Sequence, residues 1–260
     1  MTSSESSPSE SEPTLVDLIS SVQAYVDYEM EHGSTATHVS PDVLKELANL
    51  NSEPTSAPPE PLMATSDTTN ADPEKQLADI ATVVAACTQC PLHTGRTNSV
   101  PGEGNPRPDI LFVGEGPGAD EDEQGRPFVG RSGQLLTKMI NAMGYEREEI
   151  HIANIVKCRP PNNRAPTPEE MLTCLPYLKQ QIAILKPKVI VALGATAVKA
   201  LLNEKTGISK LRGNWHSFEE TPLMPTFHPA YLLRDPHKKK DAWDDLKAVL
   251  KHLGKPVPKT

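Results

Sequence analysis

The chain has four cysteines, and two of them form Cys87-Thr-Gln-Cys90; the others are Cys158 and Cys174. Four thiolates make a full ligand set for tetrahedral zinc or for an iron–sulfur cluster, and spacing alone does not separate the two. Unrelated buried thiols are the bland alternative, because free cysteine packs as a small hydrophobe. The tight C-x2-C pair argues against that alternative. Other chemically capable residues stand at motif positions. Glu115 lies in G-E-G-P-G, Phe128 in R-P-F-V-G, Asn154 in A-N-I-V-K-C, and His228 directly before Pro229. A carboxylate, a ring, an amide and an imidazole brought together suit a small planar ligand.

Elements must carry these residues to one place. Ile110 to Val113 reads as a buried strand, followed by a sharp turn through Gly114, Gly116, Pro117 and Gly118. A strand that ends in glycines puts Glu115 at the carboxyl end of a sheet, where open α/β folds bind ligands. Asp120 to Glu123 reads as a solvated acidic loop. A helix is expected to open at Ser132, bury Leu135, Leu136, Met139, Ile140 and Met143, and stop at Gly144. Further strands are expected over His151–Lys157, Val189–Leu193 and Leu223–Phe227. Asp72-Pro73 is a cap followed by proline at the first helical position, and Leu77, Ile80, Val84 and Cys87 share one face. Thr167-Pro-Glu-Glu170 has capping-box spacing and opens a helix that Pro176 should interrupt or kink. A last helix over Lys238–Leu253 presents Trp243, Leu246, Val249, Leu250 and Leu253 to the core. Strands alternating with helices mean an α/β fold, with a mostly parallel sheet covered by helices on both faces.

Composition sets the frame. Of 260 residues, the first 75 hold fourteen Asp/Glu against two Lys, a net of −12. The remainder nets +4, within an overall −8. A mildly basic body is compatible with a nucleic-acid partner, though weak evidence for one. The first part is rich in Ser, Glu, Pro and Thr and poor in aromatics, so it buries too little apolar area to offset chain entropy. Residues 1–71 are therefore expected to be a largely disordered extension, with short helices over Leu15–Met30 and Ser40–Leu50. The folded domain is expected over 72–254, with a flexible end at 255–260. No secretory signal and no membrane-length apolar run is visible, which points to the cytoplasm. A monomer is expected.

Taken together, four long motifs resemble the family 4 uracil-DNA glycosylases over residues 75 to 254. They are G-E-G-P-G-A-D-E-D-E-Q-G-R-P-F-V-G-R-S-G-Q-L-L, A-N-I-V-K-C-R-P-P-N-N-R, V-A-L-G-A-T-A and H-P-A-Y-L-L-R. The resemblance implies a four-stranded parallel sheet between helices and hydrolysis of the glycosidic bond of deoxyuridine in DNA. It implies a [4Fe-4S] cluster on Cys87, Cys90, Cys158 and Cys174. Glu115 would position water or stabilise the cationic sugar, and Gly116 would line the same pocket. Phe128 would stack on the base, Asn154 would pair with its edge, and His228 would donate to uracil O2. Tyr231 to Arg234 would form a minor-groove loop, with Leu232 or Leu233 as an apolar wedge and Arg234 on a phosphate. A related class captures uracil-DNA covalently through a histidine in an inserted loop. The segment after Cys158 has no such histidine, which favours turnover. A catalytically silent nucleic-acid-binding protein of the same fold is the alternative.

Overall fold

The computed structural model describes residues 72–258. The helices expected at Leu15–Met30 and Ser40–Leu50 lie outside the described residues. The described chain opens with α1 (Pro73–Ala86), capped by the Asp72 carboxylate on the Glu74 amide. There follow β1 (Glu103–Gly104), β2 (Ile110–Gly114), α2 (Ala119–Gln124), α3 (Arg131–Ala142), β3 (His151–Asn154) and α4 (Pro168–Leu185). Then come β4 (Val189–Leu193), α5 (Gly194–Leu202), α6 (Ile208–Leu211), β5 (His216–Phe218), β6 (Thr221–Thr226), α7 (Pro229–Arg234) and α8 (Lys239–His252). No described helix is long and apolar enough to cross a membrane.

The sheet has six strands in the order β1-β3-β2-β4-β6-β5. Its inner four, β3, β2, β4 and β6, are mutually parallel, and β1 and β5 pair antiparallel at the two edges. The expected four strands are therefore the parallel centre of a mixed sheet. The edge strands are two and three residues long, too short for any periodicity to register. β2, β3 and β4 are buried along their whole length, as parallel strands covered on both faces must be. Side chains alternate between those faces. Leu111, Val113, Ala153, Ile190 and Ala192 pack against α4 and α5. Ile110, Phe112, Ile152, Val189 and Val191 pack against α3 and α8. This is a three-layer α/β/α arrangement.

Three local expectations need correction. α4 runs unbroken through Pro176. The carbonyl that proline leaves without a partner belongs to Leu172, whose side chain is on the exposed face, so water can reach it. α3 starts at Arg131 with Gly130 as its cap, which leaves the Ser132 side chain for another purpose. The acidic run is a short helix, not a solvated turn, and two of its carboxylates are buried. Asp122 accepts from the Thr97 and Asn98 amides. Glu121 accepts from the Gly118, Val129 and Gly130 amides at 2.9–3.0 Å. Consecutive carboxylates on a helix point in different directions, and here two of the four turn inward to gather loops.

Those loops fix Phe128. Its backbone is left-handed (φ 52°), and its carbonyl lies directly over Gly133 in α3. A Cβ at Gly133 would overlap that carbonyl. Gly133→Ala should therefore destabilise the fold, although it sits inside a helix. The strain of an added methyl, about 1–3 kcal/mol, outweighs the roughly 1 kcal/mol of helix propensity that alanine gains. Urea unfolding checks this: an unchanged or raised midpoint would contradict the contact.

Candidate functional site

The carboxyl ends of β2, β3 and β6 converge on one cavity of about 180 Å³. Glu115, Gly116, Phe128, Asn154 and His228 all line it. The four residues singled out for a planar ligand, and Gly116 with them, are thus brought together. Glu115 follows β2 and is half-buried; Gly116 follows it along the turn. Phe128 reaches the cavity from the loop before α3, not from a strand.

Asn154 ends β3 and is 1% exposed. Its side-chain oxygen is buried without a hydrogen-bond partner. An orphaned buried amide costs about 1–3 kcal/mol, so its placement asks for a ligand. The amide sits over Gly114, with the Phe128 ring beside it; any Cβ at Gly114 would overlap both. Glycine is required here because two functional side chains occupy the space a side chain would take.

His228 follows β6 and caps α7: its Nδ1 accepts from the Ala230 amide at 3.1 Å. In the neutral ring the proton is then on Nε2, which leaves a donor. Burial pushes its pKa down to about 4, and the nearby Arg234 charge adds to the shift. The Phe128 and His228 rings lie 5.6 Å apart. The strand end behind His228 is held by Asp245, which accepts from Thr226 Oγ1 at 2.6 Å and is paired with Arg212. Burial raises the Asp245 pKa, and its bonds to Arg212 and Thr226 oppose the shift.

Several lining residues escaped the motif reading: Ser132, Pro160, Asn163 and Arg164. Arg164 is held by a double ion-paired hydrogen bond to buried Glu170, which also caps α4 through Thr167. The P-P-N-N-R run is where a signal lay, since prolines and asparagines crowd a loop between a strand and a capped helix. Asn163 has a positive φ of 54°, which asparagine tolerates well.

The loop expected to touch DNA divides in two. Leu232 is 1% exposed and packs with Phe227 and Ala242, so it does not present a wedge. Adjacent residues on a helix face different ways, and Leu233, 38% exposed, is the one that projects. Arg234 is exposed and lines a second cavity, shared with Glu115, His228 and Leu193 to Thr196, where β4 passes into α5.

On the far side of β3, Cys87, Cys90, Cys158 and Cys174 line one small niche. Arg96 donates to the Cys158 sulfur at 3.1 Å, and the Lys157 amide to the Cys174 sulfur at 3.3 Å. Burial pushes the Cys174 thiol up to about 11. Among the described residues no three metal-ligating side chains gather tightly enough to chelate a single ion. The four thiols line one shared niche, and four thiols are a donor set that suits a metal centre.

Comparison with known proteins agrees with this geometry. The family model described as the uracil DNA glycosylase superfamily matches residues 101–247. A type-4 uracil-DNA glycosylase of Thermotoga maritima is 52% identical over 166 residues, 62% of this chain and 85% of that protein. One of Archaeoglobus fulgidus is 42% identical over 192 residues, 71% of this chain and 96% of that protein. A type-5 enzyme of Thermus thermophilus is 32% identical over 153 residues, 53% and 68% of the respective chains. The strand ends, the orphaned amide and these matches lead to one conclusion: the chain belongs to the uracil DNA glycosylase superfamily, on the type-4 side of it.

Proposed function

We propose that this chain hydrolyses the N-glycosidic bond of deoxyuridine in DNA, releasing uracil and leaving an abasic site. The observation that carries the reading is the buried, unpartnered Asn154 side-chain oxygen at a cavity sized for one base. At about 180 Å³ the cavity is smaller than the ~300–1,000 Å³ of sites for drug-sized ligands. A base must leave the duplex stack to enter it, and reading its pairing edge is how flipped bases are distinguished. The Asn154 amide offers an acceptor and a donor. Uracil presents a complementary N–H and carbonyl, whereas cytosine presents the reverse pattern. Phe128 supplies a face for stacking, worth about 1–3 kcal/mol per base.

The chemistry follows from where charge develops. As the glycosidic bond breaks, the base gains negative charge and the sugar gains positive charge. The His228 Nε2–H is a fixed neutral donor for a base oxygen, and a hydrogen bond to developing negative charge strengthens in the transition state. Glu115, between the two cavities, is placed to stabilise the sugar or orient water. Leu233 is the side chain exposed to enter the gap left by an extruded nucleotide, and Arg234 can hold a phosphate.

We also propose that Cys87, Cys90, Cys158 and Cys174 hold a [4Fe-4S] cluster. When bound it supplies a cross-link between the end of α1, the segment after β3 and α4, and no step of the hydrolysis. The hydrogen bonds from Arg96 and the Lys157 amide to sulfur support the reading, because such donors are typical around cluster thiolates.

Four outcomes check these readings. In single-turnover assays on a uracil-containing oligonucleotide, the wild type should release free uracil; binding without release would favour a silent sensor. In the same assay Asn154→Asp should slow uracil release about 10- to 100-fold and narrow the preference over cytosine, because an acceptor-only carboxylate faces uracil's carbonyl. His228 should keep neutral-ring NMR shifts from neutral pH to about 5, since its pKa lies near 4 and not at the ordinary 6.5. The unfolded chain takes up that proton first, so His228 stabilises the fold less as pH falls from 6.5 to 4. A ring titrating at 6.5 would refute the assignment of a permanently neutral donor. Anaerobically purified protein should carry about four irons per chain, and Cys158→Ser should lose iron and stability together; full activity with zinc alone would count against the cluster.

A further inference from the structure

Lys157 has no role in the functions above, yet it is the most enclosed charged residue described, with 0% exposure. Its ammonium donates to the Asn154 carbonyl at 3.0 Å and to Gln181 Oε1 at 2.6 Å. Gln181 in turn donates to the Pro101 carbonyl at 2.8 Å. The reason for this bridge lies in the sheet. The Ile155 amide bonds to Gly114, so Ile155 faces β2 and the preceding Asn154 carbonyl faces the opposite edge. On that edge β1 stops at the pair Glu103–Ile152 and leaves the carbonyl without a strand partner. Lys157 supplies the missing donor, and a buried carbonyl left bare is costly.

The same lysine lines the cysteine niche, and its amide bonds the Cys174 sulfur. No carboxylate pairs with it among the described residues. A buried ammonium without a counter-charge is strongly unfavourable, and the Cys174 sulfur is the group whose charge reaches it. We propose that Lys157 is a positioning residue. It fixes the strand end that aims the Asn154 amide at the base, and it takes its counter-charge from the ligated thiolates, so that the base-reading group leans on the metal centre. The proposal rests on the reading of Asn154 as the uracil-recognising residue.

The test compares wild type, Lys157→Met, Asn154→Ala and the double variant, each purified with its iron content measured. Lys157→Met should raise the half-saturating concentration of uracil oligonucleotide in single-turnover assays about tenfold or more. The double variant should bind no more weakly than Asn154→Ala alone, because both changes remove one function. Unchanged binding, or losses that multiply, would overturn the positioning role. The Lys157→Met cluster should also be reduced at lower potential than the wild type, having lost a neighbouring cation; an unchanged potential would overturn the counter-charge. If Lys157→Met does not fold, Gln181→Leu removes the lysine's other anchor and is held to the same non-additivity with Asn154→Ala. A wild type that frees no uracil defeats the functional reading itself. A working wild type with multiplying losses defeats only the role given to Lys157.

Discussion

The Glu121 carboxylate is the interaction on which the site depends. It draws three backbone amides to itself, one from the turn after β2 and two from the loop that follows Phe128. Hydrogen bonds to an ionised acceptor are short and about twice as strong as neutral ones. A buried carboxylate that lost them would be intolerable, so the two loops cannot drift apart while the protein is folded. That constraint holds Phe128 in its left-handed backbone, and the bare face of Gly133 gives the loop room to press on α3. The Phe128 ring at the cavity is thus placed by a carboxylate from outside its own loop.

The same device recurs around the cavity. Glu170 grips Arg164 while capping α4, Asp245 ties Thr226 to Arg212 behind His228, and Lys157 closes the open carbonyl at the end of β3. Each bonds a cavity-lining residue or the strand end that carries one, and takes up backbone or side-chain polarity that the sheet cannot. Such buried ionic contacts add little net stability, because desolvation offsets their attraction. What they supply is geometry. A parallel sheet ends in polar groups with no partners at its carboxyl edge. Rigid charged anchors satisfy several of those groups, while the Asn154 side-chain oxygen at the cavity is left open.

Much of this was legible in local patterns. The Asp72 cap, the Thr167–Glu170 box and the continuous apolar run of β4 depend on neighbours a few residues away, and each stands where its spacing placed it. Asn154 stood out because asparagine is disfavoured within a strand, whereas Glu115 and His228 stood out with the motifs that carry the family resemblance. The acidic run misled because charge alone does not say which carboxylates find amides. The choice between Leu232 and Leu233 was open in the chain, since both are equally apolar; burial against Phe227 and Ala242 decided it.

The sequence by itself determined the alternation of strands and helices, the cysteine quartet, and the residue types available for base recognition. These follow from periodicity and side-chain chemistry, which are properties of short segments. Only the tertiary structure decided that the amide oxygen lacks a partner, that the histidine proton is on Nε2, that Lys157 joins the thiol niche to the end of β3, and that two short strands seal the sheet. Each of those is a distance between residues far apart in the chain, set by packing, and no local pattern carries it.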